Sequence, residues 1–242
     1  HWKEYFPHHQ YDTNYGLSES IGPGCVHLGV DNIDKVGAIG KAGYGWEAKI
    51  IDEQGETVKQ GETGELAVKA EMSNSVISDE ELETALSYFE IVMTCYYRDP
   101  KATAEVLHDG WLYTGDMAME DEDGFIFLVD RKKDVIISGG ENIYPVQIED
   151  FLRTNEAILD VAVIGLADHR LGEISAAIIE LKPGVECTEE DIQEFCKKLP
   201  RYKRPRKIIF ADVPRNPTGK IEKPKLREKY GATHLVAAQN QG

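Results

Sequence analysis

Apolar and polar residues alternate in short runs from Val36 to Ala70, the pattern of half-buried antiparallel strands. Trp46–Ile51 and Glu65–Lys69 predict strands, and Asp52–Gly55 predicts a turn. The densest pattern follows in residues 111–150, WLYTGDMAMEDEDGFIFLVDRKKDVIISGGENIYPVQIED. Tyr113–Asp116 predicts a short strand that runs out into a Gly turn and presents one carboxylate. A hairpin is predicted to turn at Asp121–Gly124 and to return on Phe125–Val129. Asp130, Arg131, Lys132, Lys133 and Asp134 then place five charges between two apolar strands. Five charges cannot be buried together, so a surface crossing and a joint between two cores are expected there. Val135–Ile137 predicts another strand. Gly139 and Gly140 after it would let backbone N–H groups approach a ligand closely or form an unusual turn. Pro145 suits the first turn of a helix.

Past that point the pattern changes from strand-rich to mixed. Phe151–Leu152 reads as helix, Val161–Leu166 and Glu173–Leu181 as strands, and Ile208–Phe210 as another strand. Thr188 is expected to cap a helix through about Leu199. This alternation predicts a small α+β domain of roughly 100 residues. Upstream, Ser78 and Glu81 form a capping box, and Leu82, Ala85, Leu86 and Phe89 fall at helical spacing. Residues 71–91 therefore predict an acidic amphipathic helix that packs on its own subdomain or docks a partner. Asp99 and Pro100 read as N-cap and first turn of a helix to about Leu107.

Length and charge narrow the function. With 242 residues, two domains are expected, and 41% apolar residues suffice for ordinary cores. A formal net charge of −16 argues against a nucleic-acid or bilayer-surface partner. No apolar run reaches the roughly 18 residues of a membrane span, and no signal peptide opens the chain. Cys25, Cys95, Cys187 and Cys196 lack CxxC spacing and read as reduced thiols of a cytoplasmic protein. His1, His8 and His9 read as terminal histidines rather than as a metal site. The chain begins without Met and enters what reads as mid-domain sequence, so it is expected to be part of a longer protein.

The candidate chemistry sits at a few positions. In Asn14-Tyr15-Gly16-Leu17-Ser18-Glu19-Ser20, an aromatic beside a Gly turn offers a flat face for a base. The Ser18 hydroxyl and Glu19 carboxylate can reach a phosphate and its hard cation. Taken alone, the string reads better as an ordinary turn. Asp116 suits the vicinal hydroxyls of a ribose, and Arg131 supplies a planar donor fork. Arg201–Lys207 is the one dense basic patch, either a solvated helix terminus or a phosphate contact. Lys220 projects from the turn-rich Pro214–Ile221 loop. His169, in the turn Asp168–Glu173, reads as a solvated loop residue.

Together these strings resemble the adenylate-forming (AMP-binding) superfamily, in its acyl/aryl-CoA ligase branch. Tyr113–Asp116 matches a YxTGD element, Arg131–Asp134 an Arg-x-Lys/Asp-Asp hinge, and Ser138–Ile143 a Gly-rich segment. Tyr15–Glu19 is similar to YGxTE, with Ser18 where Thr is common. Gly61–Leu66 matches GExGEL, Asp168–Glu173 matches DxxxGE, and Pro214–Lys220 matches PxxxxGK. The resemblance implies a fold of α/β and α+β class. A β-rich remnant of the large AMP-binding domain (1–131, with the insert 71–91) would be followed by a mobile α+β C-terminal domain (132–242) joined by a hinge.

It further implies ATP, Mg²⁺ and CoA as cofactor and co-substrates, with a small carboxylic acid as the group activated. Tyr15 would flank adenine beside Gly16, and Asn14 would meet the adenine edge. Ser18 would contact the α-phosphate and Glu19 would help to hold Mg²⁺. Asp116 would accept the ribose hydroxyls, with Arg131 directed to ribose or phosphate. Lys220 would bridge substrate carboxylate and α-phosphate, Gly139 and Gly140 would serve CoA, and Lys133 would be the hinge. Three features depart from the pattern: Asp130 stands in place of Gly before the Arg, residues 71–91 are inserted, and the family's upstream Ser/Thr/Gly-rich phosphate loop is not found. A non-catalytic nucleotide-binding module, a luciferase-like oxygenase and a peptide-synthetase adenylation domain share these motifs.

Overall fold

The computed structural model describes Tyr5 and residues 12–28, 34–70 and 92–239; residues 71–91 and His1, His8 and His9 lie outside the described residues. The chain divides into two compact units between Lys132 and Lys133.

The first unit is built on antiparallel strands: β1 (Asp12–Tyr15), β2 (Cys25–Leu28), β3 (Ala38–Ala42), β4 (Trp46–Ile51) and β5 (Thr63–Ala70). Helix α1 (Pro100–Val106) follows, then β6 (Leu107–His108), β7 (Trp111–Glu120) and β8 (Ile126–Arg131). The sheet order is β1-β2-β3-β8-β7-β5-β4, with β6 beside β7. Ile50, Leu66, Val68, Leu112, Ala118 and Ile126 form its core. Local polar chemistry sets the turns. Asp52 Oδ1 accepts from the amides of Gln54 and Glu56 at 2.9 and 3.0 Å. Asp121 Oδ1 likewise accepts from Asp123 and Phe125 at 3.0 and 2.8 Å. Asp99 caps α1 by accepting from Ala102 N–H, and Pro100 occupies the first turn, as expected.

Two expectations are corrected here. The strand at Tyr113–Asp116 does not end in a Gly turn, because β7 continues to Glu120. Gly115 has φ +72° and sits where the β5–β7 register shifts, so it makes a bulge inside a strand. The charge run is also not wholly a surface crossing. Asp130 and Arg131 complete β8, and Asp130 is buried at 8% exposure. Only Lys132–Asp134 leave the sheet, as one turn of 3-10 helix.

The second unit contains β9 (Ile136–Ser138), β10 (Glu141–Ile143), α2 (Pro145–Arg153), β11 (Ile158–Asp168), β12 (Gly172–Leu181), α3 (Glu189–Cys196), β13 (Lys207–Phe210) and α4 (Lys223–Gln239). β11 pairs along one edge of β12, while β9 and the parallel β13 share the other. Alternation along β11 and β12 gives the sheet two apolar faces. Val161, Val163, Ala177 and Ile179 meet Ile148 and Leu152 of α2 and Ile192 and Cys196 of α3. Ala162, Ile164, Leu166, Ala176 and Ile178 pack with Val213 and with Leu226 of α4. The result is a three-layer α+β unit, of the class expected.

Helix α3 carries a reciprocal capping box between Thr188 and Asp191, and it ends at Cys196 rather than near Leu199. The basic run explains part of that ending. Arg204 donates Nε to Leu199 O and Nη2 to Lys197 O, at 2.9 and 2.8 Å.

All four cysteines are free thiols. Burial pushes the Cys25 thiol up to about 12 and the Cys196 thiol up to about 11. At about pH 8 a maleimide should therefore modify exposed Cys95 rapidly, and Cys25 and Cys196 only after denaturation. Mass spectrometry of labelled peptides checks this, and early labelling at Cys25 would contradict the packing of β2.

Candidate active site

The first unit's site begins where β1 ends. Tyr15 is followed by Gly16, at which a Cβ would lie 2.6 Å from the carbonyl oxygen of Gly22, so a side chain does not fit. Ser20 stitches the loop closed. Its hydroxyl lies 2.9 Å from Leu17 O and 2.7 Å from Gly22 O, and it accepts from Leu17 N–H at 2.9 Å. The loop borders an open depression of about 500 Å³ lined by Asn14, Gly16, Leu17, Ser18, Ile21 and Pro23. Three of the predicted nucleotide residues, Asn14, Gly16 and Ser18, thus share one concavity.

Tyr15 does not present an open flat face as expected. Its ring is 9% exposed and belongs to the core, because its hydroxyl reaches inward to Asp116. That hydroxyl donates to Asp116 Oδ2 at 2.6 Å. Burial and the carboxylate together push the phenol far above its usual range, so it remains a proton donor. Asp116 lies opposite Arg131 in the β7–β8 ladder, and Arg131 Nε is 3.1 Å from Asp116 Oδ1. The carboxylate is 5% exposed, with Oδ2 accepting from Tyr15 and Oδ1 in an ion pair with Arg131. A carboxylate oxygen can accept more than one hydrogen bond, as a ribose diol would require. Arg131 is 53% exposed and so reaches solvent from the same site.

Glu65 is the residue that the sequence did not reveal. Its Oε1 accepts from Gly115 N–H at 2.9 Å and its Oε2 pairs with Lys132 Nζ at 2.7 Å, at 6% exposure. It therefore holds the bulge that aims Asp116. The available signal was a charge within the strand run Gly64-Glu65-Leu66, since a carboxylate in such a run needs buried partners.

Glu19 is half-buried, and its Oε1 accepts from the Tyr96 hydroxyl at 3.0 Å. Burial, and then that bond, raise the Tyr96 phenol. Among the described residues no group of three or more His, Cys, Asp or Glu is arranged to hold a metal ion. A single carboxylate beside a depression still fits Mg²⁺, which binds through one or two carboxylates together with substrate phosphates.

In the second unit the predicted residues occupy separate loops. Gly139 and Gly140 have φ +62° and +88° and close the two-residue hairpin between β9 and β10. The paired glycines are thus accounted for by the turn itself. Lys133 lies within the 3-10 turn, whose Asp134 accepts from Arg227 of α4 at 2.6 Å. Lys220 is exposed, and among the described residues its ammonium has no ion-pair partner. Its loop is internally bonded. Asn216 N–H donates to Lys220 O at 2.9 Å, Gly219 N–H to Asn216 O at 2.8 Å, and Lys220 N–H to Asn216 Oδ1 at 2.9 Å.

Residues 147–220 match the model of the AMP-binding enzyme C-terminal domain, and about nine tenths of the chain is similar to adenylate-forming enzymes. The long-chain-fatty-acid–CoA ligase FadD13 of Mycobacterium tuberculosis is 39% identical over 221 residues, covering 90% of this chain and 40% of that protein. ATP-bound MatB from Rhodopseudomonas palustris superposes with a TM-score of 0.77 at 30% identity, over 92% of this chain and 41% of its own. The o-succinylbenzoate coenzyme A synthetase MenE from Bacillus subtilis, in complex with ATP and magnesium ion, gives 0.72 at 30% identity, over 90% of this chain and 41% of its own. The chain thus spans about two fifths of the length of the relatives it matches. Among the described residues no helix is long and apolar enough to cross a membrane.

Tyr15→Phe keeps the ring but leaves Asp116 with one donor fewer in a buried position. Urea unfolding should show the first unit destabilised by about 1–3 kcal/mol, the usual cost of an unsatisfied buried polar group. Unchanged stability would mean that the Tyr15–Asp116 bond contributes nothing.

Proposed function

We propose that this chain carries the ribose-binding and catalytic-lysine portions of an ATP-dependent acid–CoA ligase acting on a small carboxylic acid in the cytoplasm. The observation that carries the reading is the meeting of Tyr15, Asp116 and Arg131, the first two 101 positions apart in the chain, beside the depression at Asn14–Ser18. In this reading the portion of the AMP-binding domain is 1–131 and the mobile C-terminal domain is 132–242.

In the first half-reaction a carboxylate oxygen attacks the α-phosphorus of ATP. A new P–O bond forms, pyrophosphate leaves with the broken bond's electron pair, and an acyl-adenylate results. Two anions meet in that step. Asp116 accepts the ribose hydroxyls on its remaining acceptor directions, and Arg131 donates toward ribose or phosphate. Asn14, Tyr15 and Gly16 border the adenine, and Ser18 donates to the α-phosphate. Glu19 would hold Mg²⁺, which supplies charge neutralisation at the phosphates when bound. Lys220 donates to the substrate carboxylate and α-phosphate, and its ammonium, uncommitted to any described carboxylate, suits that task. In the second half the CoA thiolate attacks the acyl carbonyl and AMP departs, with Gly139 and Gly140 alongside CoA. Rotation at Lys133 would separate the two halves.

Acid-dependent ATP–pyrophosphate exchange with a panel of aliphatic and aromatic carboxylates tests the proposal. Lys220→Ala is expected to slow exchange about 10²–10³-fold, as for loss of one preorganised donor. Thioester formation from supplied acyl-adenylate should be nearly unaffected, and equal loss in both halves would remove Lys220 from this role. Lys133→Pro should preserve exchange and block thioester formation, because Pro fixes φ. Normal overall turnover in that variant would rule out the hinge.

A further inference from the structure

The loop that bears Lys220 is an exposed turn, yet its base is fastened to the sheet by a side chain to which no task has been assigned. Arg215 points its guanidinium at Asp160 of β11, with Nε 2.7 Å from Oδ2 and Nη2 2.9 Å from Oδ1. The remaining terminal nitrogen, Nη1, donates to the carbonyl oxygen of Gly219. That carbonyl belongs to the peptide leading into Lys220. Asp160 is itself fixed to the strand, because its Oδ1 also accepts from Val161 N–H at 2.9 Å. Its side chain is only 16% exposed. On the far side of the loop, Lys223 is buried, with Nζ 2.8 Å from Glu149 Oε1. Glu149 Oε1 in turn accepts from Val163 N–H at 2.8 Å, on the same strand as Asp160.

We infer that Asp160 and Arg215 are positioning residues that fix the Lys220 loop against β11, and so set the direction in which the lysine projects. The inference rests on the reading of Lys220 as the lysine of adenylation. A lysine side chain is long and flexible, and its reach is set by the backbone that carries it. A guanidinium that binds a carboxylate with two parallel bonds and a carbonyl with a third defines a plane, which a single ammonium cannot do. Arg215 therefore orients the Gly219–Lys220 peptide as well as tethering it. Both cores of this unit lie on the sheet faces and include neither Asp160 nor Arg215, so the clasp is not what holds the fold together. A partly exposed pair of this kind acts on local order far more than on global stability. Misplacing a catalytic group by about 1 Å lowers rates on the order of 10²-fold.

The test compares Asp160→Asn, Asp160→Glu and Arg215→Lys with Lys220→Ala in this chain, using hydrogen exchange at the Asn216 and Lys220 amides, thermal unfolding and ATP–pyrophosphate exchange. Asp160→Asn and Arg215→Lys should speed amide exchange across 216–220 by about tenfold and leave the unfolding temperature nearly unchanged. They should lower kcat for pyrophosphate exchange by about 10- to 100-fold, with KM for ATP within about twofold. Asp160→Glu should restore part of both losses, and Asp160→Asn should add no further loss on a Lys220→Ala background. Unchanged amide protection in both clasp variants overturns the inference. So does a lowered unfolding temperature with full kcat, or a loss that adds fully to that of Lys220→Ala. The amide measurement needs no turnover. If Lys220→Ala exchanges pyrophosphate normally, the role of the lysine falls while the amide result still decides the clasp.

Discussion

A carboxylate shielded from water is the constraint on which the first unit depends. Asp116 is nearly fully buried, and an ionised carboxylate in such a place is tolerated only if donors surround it. Its two printed partners come from distant parts of the chain. Tyr15 is at the end of β1, Arg131 is opposite in β8, and the bulge at Gly115 turns the carboxylate toward them. Each requirement fixes something larger. The Arg131 contact needs the β7–β8 register, and a slip by one residue would turn the arginine to the other face. The Tyr15 contact needs the edge strand β1 to end at the right depth. The bulge needs Glu65, which in turn takes the charge of Lys132. Sheet register, loop closure and the end of the unit are thereby tied to the satisfaction of one charge.

The second unit solves a different problem. β12 is buried on both faces and paired along both edges, so its strand is apolar almost throughout. With helices on both faces, polar chemistry is left to the loops. The Gly139–Gly140 hairpin and the Lys220 loop are both small, exposed and internally hydrogen-bonded. Rigid loops on a well-packed sheet are suited to presenting groups to a ligand, because the loop backbone is ordered before the ligand arrives.

Local signals in the sequence identified most of these elements. Alternation, Asx turns, Pro145 and the Thr188 cap gave strands, turns and helix starts close to their positions. What escaped reading depends on partners far along the chain. Gly115 reads as a strand terminator because a turn and a bulge both call for positive φ. Only its neighbour β5, with Glu65 facing it, makes the bulge. Asp130 reads as one more surface charge until the strand that buries it is known. Tyr15 reads as an open platform because nothing local announces that its hydroxyl is bound to residue 116. The motif strings brought Asn14–Ser18, Asp116 and Arg131 to notice, and the long-range contacts show how Tyr15, Asp116 and Arg131 are held. The predicted helix at 71–91 lies outside the described residues.

The acidity of the chain opposes the anionic ligands proposed for it, so the local arrangement of its cations matters. A formal charge of −16 raises a repulsive field, but at physiological ionic strength it is screened beyond about 8 Å. Within that distance the identity of the nearest cations decides. Most cations near carboxylates are committed: Lys35 to Asp121 and Asp123, Lys132 to Glu65, Lys223 to Glu149, Arg227 to Asp134 and Arg215 to Asp160. The basic run is partly committed as well, with Arg204 spent on helix carbonyls and Lys203 on Gln147. Lys220 is among the exposed cations with no described carboxylate partner, and half of Arg131 stays exposed while one nitrogen serves Asp116. A cation already held by a carboxylate is less available to a phosphate than one left unpaired beside the site. Binding of an anion by such a chain would depend on where its cations are held, not on abundance of positive charge.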